Sequence, residues 1–299
     1  RRPMMLLAPA VGFATRLAAA LRPSSLLLTV ERVANDLARA LVGTTMCHSA
    51  LADAFKGGGA LTHALARCSS AMGVGMIFAP FLGQVATRRG GPRAAVAAAA
   101  AFTALQLAIE WQVLHLPPLE ECGGSPGSAG VGVQTVSNPL GFMKLFFSCG
   151  PRVRAISAIL ALQCAIDGKL LQDQISLMQM FHGGWTLTQR SLWSSAFGLA
   201  ITLGGMMTRV LSRRLGGEQN FTSAAHFASV AAFLAYSRGA FWLGLLPLIV
   251  GQQRRVPTVA WLVADAQLHG LGRGEVVAMT ANLRAAVETI GPLVYGLGQ

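Results

Sequence analysis

Apolar windows bounded by charged residues, glycine or proline recur along the chain at 4–21, 25–51, 63–87, 92–114, 153–180, 189–210, 221–237, 240–266 and 276–297. A helix rises 1.5 Å per residue, so about 20 mostly apolar residues suffice to cross a bilayer. The pattern predicts nine membrane-spanning helices in an all-α polytopic protein. One long stretch interrupts it. Residues 115–152 open with Leu116-Pro117-Pro118-Leu119-Glu120-Glu121, pass through GGSPGSAG and end near Lys144 and Pro151-Arg152-Val153-Arg154. Glycine, serine and proline at that density do not nucleate a packed core and read as a linker. The expected organisation is a helical bundle over 1–114, a linker over 115–152 and a second bundle over 153–299.

Composition supports this reading. Hydrophobic residues make up 53% of the chain and charged ones 12%, whereas a soluble domain carries about 25% charged residues. The net charge of +12 does not come from basic runs interleaved with aromatics, which argues against nucleic acid. Most arginines sit at the edges of apolar windows, as topology determinants do. The five cysteines, Cys47, Cys68, Cys122, Cys149 and Cys164, show no metal-ligand spacing, and the six histidines never pair at i, i+4. No nucleophile triad, P-loop or dinucleotide fingerprint is present. No enzyme activity, metal or cofactor is expected.

The most specific local signal is AMGVGMIFAPFLGQVATRRGGPR at 71–93. Gly75, Ala79-Pro80 and Gly83 lie in an apolar helix, Gly73 one step earlier, and the helix stops at Arg88-Arg89-Gly90-Gly91. Small residues at such spacing let helices approach closely in a membrane, and the proline is expected to bend this one. The pattern G-x3-A-P-x2-G resembles the fifth-helix motif of the major facilitator superfamily, G-x3-G-P-x2-G, with alanine before the proline. Other segments resemble that family in order. Arg1-Arg2-Pro3 is similar to the end of the loop before the third helix, and Asp53 to the acid closing the fourth. Leu116–Leu119 is similar to the segment after the sixth helix, and Asn138-Pro139 to the approach to the seventh. Arg213-Arg214-Leu215-Gly216 resembles the loop after the eighth, and Gly272-Arg273-Gly274-Glu275 with Gly291-Pro292 the region of the eleventh. The tetracycline-resistance-like branch is the nearest in pattern. The resemblance implies a two-bundle fold, with the chain a fragment from the third helix to the eleventh. It also implies a multi-pass protein in a lipid bilayer that transports a small solute by alternating access, with protons as the coupling ion. Gly75, Pro80, Gly83, Asp53, Arg213, Arg214 and Gly216 would then form the conformational motifs. The alternative is a transport-inactive protein of the same fold, acting as a receptor or structural subunit.

Ionisable residues inside a bilayer cost several kcal/mol, on the order of +2.5 to +3.5 on insertion scales, and mark functional positions. Arg32 and Asp36 in the second window are candidates, and the resemblance implies a proton-coupling arginine there, Arg32 favoured over Arg39. Glu31/Arg32 and Asp36/Arg39 read equally as structural pairs. Asp167 in the fifth window is a cavity candidate, beside a Lys169/Asp173 pair at i, i+4. Glu110 shares a face with Gln106. Gln252-Gln253-Arg254-Arg255 interrupts the eighth window just before Pro257. Either Arg254 and Arg255 line a cavity and favour an anion, or the span is two short helical pieces, the arginines then pairing with Asp265 or snorkelling. Glu288 is a proton-carrier candidate or the partner of Arg284. Trp111, Trp185, Trp193 and Trp242 lie near window ends, as interfacial anchors do. With Arg1 cytoplasmic, basic residues are in excess on that side, although Arg88, Arg89 and Arg93 fall on the other.

Overall fold

The computed structural model describes residues 2–41, 43–55, 58–115, 139–167 and 169–296, and among these every regular element is helical. The helices are α1 (Arg2–Leu21), α2 (Ser25–Leu41), α3 (Gly43–Ala54), α4 (Gly58–His115), α5 (Lys144–Phe147), α6 (Pro151–Asp167), α7 (Lys169–Phe181), α8 (Leu187–Arg214), α9 (Glu218–Ser237), α10 (Leu245–Gly251), α11 (Arg255–Gln267) and α12 (Arg273–Gly296). Short 3-10 turns occupy Pro139–Met143 and Gln252–Arg254. The apolar window 240–266 is therefore divided into shorter pieces, α10, the 3-10 turn and α11. Two helices among the described residues, Gly59–Val113 and Leu187–Arg214, are long and apolar enough to cross a membrane, and Leu6–Leu21 is a shorter apolar helix.

Backbone chemistry explains where the helices break. Within α4 the non-helical residues are Gly90 (φ −140, ψ 16) and Gly91 (φ 73, ψ −172). Gly91 precedes Pro92, whose ring disfavours the α region for the residue before it, and its positive φ suits glycine alone. Pro80 stays within the first helical arm of α4, and the interruption lies at Gly90-Gly91, where the sequence puts the helix end. The 3-10 turn between α10 and α11 ends three residues before Pro257. That ring lacks an N–H and crowds the carbonyl four residues back, at Gln253, which tightens the turn.

Two compact units form. One comprises 1–47 with 86–141, the other 48–85 with 142–299. The division differs from the one drawn along the sequence, because 48–85 packs with the later helices. In the first unit α1 lies against α2, and Gly12 is buried where a Cβ would come within 2.8 Å of Asn35 Oδ1. In the second, one core joins Leu61, Leu65, Val153, Leu160, Leu262 and Val276, and another gathers around Trp193, Phe197, Tyr236, Phe241 and Leu248.

The first arm of α4 and α8 pack as an antiparallel ladder of small residues. Cβ atoms built on Gly73 and Gly198 would lie 2.8 Å from Gly198 O and Gly73 O, respectively, and one on Gly205 would lie 2.5 Å from Ala66 O. Only bare backbone fits there. Hydroxyls bridge the same seam: Ser70 Oγ donates to Thr202 O at 3.1 Å, and Ser195 Oγ to Ile77 O at 2.8 Å. Gln84 Nε2 reaches Thr188 Oγ1 at 2.7 Å towards its far end. The close approach falls on Gly73. A Cβ on Gly75 or Gly83 would meet nothing within 4 Å.

α8 starts with a reciprocal cap, Gln189 N to Thr186 Oγ1 and Thr186 N to Gln189 Oε1. It ends at Gly216 (φ 78) and Gly217 (φ 135), with Gly217 N bonded to Ser212 O at 2.9 Å. Asn220, in the first turn of α9, begins the sequon Asn220-Phe221-Thr222; it is exposed and donates to Leu215 O at 2.8 Å. The sequence register puts it on the cytoplasmic side. Expressed in a eukaryotic cell, Asn220 should stay unmodified, and a glycosidase-sensitive mobility shift lost in Asn220→Gln would invert the proposed orientation.

Among the described cysteines Cys47 is exposed, while Cys149 and Cys164 are buried. Burial, and then the Glu275 carboxylate, push the Cys149 thiol above its ordinary range. Less of it is thiolate at a given pH, and the thiolate is the reacting form. In folded protein a maleimide should modify Cys47 well before Cys149 or Cys164, as site-resolved mass spectrometry would read; equal rates would contradict this packing.

Candidate functional site

Two polar clusters lie inside otherwise apolar helices, one in each unit. In the first unit α1 presents Arg16 and α2 presents Glu31, one turn and a half past its start. Arg16 Nε lies 3.2 Å from Glu31 Oε1, and Arg16 Nη1 donates to Thr103 Oγ1 on the second arm of α4. Asn35 Nδ2 donates to Glu31 Oε1 at 2.8 Å and to Glu31 O at 2.9 Å. The carboxylate thus faces a guanidinium and an amide on a half-buried surface. Arg32, the expected coupling residue, is exposed on α2, and Glu31 turns inward instead.

The second cluster surrounds the 3-10 turn of the second unit. Gln163 on α6 is buried; its Nε2 lies 3.0 Å from His226 Nε2 on α9 and 3.1 Å from Thr258 Oγ1 on α11. His226 Nδ1 lies 2.7 Å from Thr222 O. Gln163 Oε1 is buried without a hydrogen-bond partner, an acceptor left over in the cluster.

Arg254 is 2% exposed. Its Nη1 donates to Ser229 Oγ and to Gly251 O at 3.1 Å, and its guanidinium stands over the Phe233 ring at 5.8 Å. Arg255 is half-buried, with Nη2 donating to Gln163 O at 3.2 Å. Of the two readings of the Gln252–Arg255 run, the two-piece helix is the one observed, and Arg254 does not face water. Neither is Asp265 seen with these arginines: it pairs with Arg152 at 2.6 Å.

Glu288 pairs with Arg284 at 2.7 Å. Gln106 Nε2 donates to Glu110 Oε1 at 2.8 Å on an exposed face. Arg213 and Arg214 are exposed at the end of α8, beside Gly216. Trp111 and Trp242 are exposed and Trp185 stacks on Trp242 at 6.1 Å, but Trp193 is a core residue whose Nε1 donates to Phe241 O at 3.2 Å. That corrects its assignment as an interfacial anchor. The side chains of Asp36, Asp53, Asp167, Lys169 and Asp173, and residues 116–138 with Cys122, lie outside the described residues.

Arg16, Gln163 and His226 were not singled out from the sequence. For Arg16 and Gln163 the signal was present, a single polar side chain inside an apolar run, which a membrane interior tolerates only with a partner.

No protein-family model matches the sequence, and no curated protein matches it. Among solved structures the chain is similar to the crystal structure of the human organic anion transporter MFSD10 (TETRAN), with a TM-score of 0.73 and 23% sequence identity, over 98% of this chain and 70% of that one. Identity at that level speaks for the fold alone: among the described residues the chain is all-α and is folded like that protein.

Proposed function

We propose that the chain is part of a multi-pass secondary transporter that moves a small solute across a lipid bilayer by alternating access, coupled to protons. The observation that carries this reading is the likeness over 98% of the chain to a solved transporter of organic anions. Nine apolar windows in the order of the family's third to eleventh helices support it, and so does the antiporter-like segment at 71–83, which points to the tetracycline-resistance-like branch. Substrate charge follows from the polar clusters. Arg255, half-buried beside Gln163, is the candidate contact for an anion. Arg254 positions it by holding the 3-10 turn. Glu31, between Arg16 and Asn35, is the candidate proton carrier of the first unit, with Arg32 and Asp36 on the same helix. Asp167 and Glu288 remain pathway candidates in the second. Asp53, Gly75, Pro80, Gly83, Arg213, Arg214 and Gly216 are proposed to serve the conformational change.

The test uses the intact protein in proteoliposomes with an imposed pH gradient. Uptake of a fluorescein-type organic anion should exceed that of a quaternary ammonium of similar size and should collapse with a protonophore. Uptake that ignores the pH gradient removes the proton coupling, and a preference for the cation removes the substrate assignment.

A further inference from the structure

The ladder between α4 and α8 ends in a cavity. From Ile77–Ser195 to Ala66–Gly205 its residues are mostly small and the backbones meet. At that end of the seam lie His63 and Arg67 on α4 and Arg209 on α8. Long cationic side chains cannot fill the seam as glycine does, so a pocket of about 290 Å³ opens, lined by His63, Arg67, Ser70, Gly205 and Arg209. Neither Arg67 nor Arg209 has a carboxylate partner among the described residues. His63 Nδ1 is buried there without a hydrogen-bond partner. Arg213 and Glu218 also act on the His63 ring, but Glu218 Oε2 is already held by Trp261 Nε1 at 2.9 Å.

We propose that this cavity is a binding site for a phosphate group, presented by an anionic lipid headgroup or by a free phosphate. Two guanidiniums offer paired N–H donors that match phosphate oxygens, and the imidazole adds a third donor. Gly205, also on the lining, is where α8 backs onto α4: a Cβ there would meet Ser70 and Ala66 O. Arg213 and Arg214 close the same end of α8, the end that the sequence register puts at the cytoplasmic surface, where basic pockets between helices meet phosphorylated lipids. The site is separate from the polar clusters of the proposed transport path, and its binding is measurable without any transport.

Purified intact protein would be titrated with short-chain phosphatidylinositol 4-phosphate, short-chain phosphatidylcholine and inorganic phosphate, using native mass spectrometry for the lipids and thermal shift for the ion. Saturable binding of a phosphomonoester probe over phosphatidylcholine is expected. Each guanidinium removed should weaken it about tenfold and the pair about a hundredfold. Arg67→Gln and Arg209→Gln are tested singly and together; both side chains are exposed, and each variant's melting curve verifies that it folds. Binding of the lipid alone assigns the headgroup as the source, and binding of inorganic phosphate as well assigns the phosphate group itself; either supports the site. Arg238→Gln, exposed past the end of α9 and outside the cavity, should bind as the parent does. No saturable binding of either phosphate probe overturns the proposal, as does full binding by a folded double variant or an equal loss in Arg238→Gln.

Discussion

Gly198→Leu should leave little folded protein. A Cβ at that position would lie 2.7 Å from Ile77 N and 2.8 Å from Gly73 O, and both are backbone atoms inside a helix that cannot step aside without opening the ladder. Overpacking a tight site costs about 1–3 kcal/mol even where side chains can adjust, so about 3 kcal/mol or more is expected here. Gly75→Leu and Gly83→Leu, on the same arm of α4, face open space and should melt within about 0.5 kcal/mol of the parent, as surface changes do. Thermal melts in detergent with yield after size-exclusion chromatography check all three. Equal tolerance at 75, 83 and 198 would show that α4 and α8 do not meet at Gly73 and Gly198.

Arg16→Met should be the most damaging charge removal in the first unit. It leaves Glu31 with Asn35 but without its guanidinium. Breaking a fully buried pair costs about 3–5 kcal/mol; with both side chains near one-fifth exposed, about 2 kcal/mol is the expectation after screening. Arg16→Met/Glu31→Gln should recover most of that loss, because the orphaned charge is gone. A double-mutant cycle on melting curves reads the coupling. Additive losses would mean that Arg16 and Glu31 do not interact.

The helical windows, the interruption before Pro92 and the one before Pro257 were readable because they depend on neighbouring residues: apolar runs set the helices, and local glycine and proline chemistry marks the interruptions. The pairing of the ladder was not readable. Ala66, Ser70 and Gly73 repeat small residues on α4, and Ser195, Gly198 and Gly205 do so on α8, but nothing in either helix names its partner. The fifth-helix motif drew attention to Gly75 and Gly83, whereas the buried glycine is the one just before them. Charge pairing followed the same rule. Arg284 and Glu288 are one helical turn apart and were legible as a pair. Glu31 was read with its sequence neighbours, but its guanidinium comes from α1, and Asp265 finds Arg152 more than a hundred residues away. For Arg254 the sequence left two readings open, a cavity-lining charge or a break between two helical pieces, because an arginine in an apolar run does not name its partner. The tight turn folds its guanidinium back over Gly251 O, Ser229 and Phe233.

The central claim is that the protein carries a solute by alternating access, and counterflow tests it most directly. Proteoliposomes holding the intact protein are preloaded with an unlabelled organic anion and diluted into a trace of the labelled one, with no ion gradient imposed. A carrier that exposes one site to each side in turn exchanges the two, so the label should rise inside above its outside concentration and then decay. Uptake that only equilibrates, with no overshoot, or binding of the anion with no uptake at all, would contradict the account.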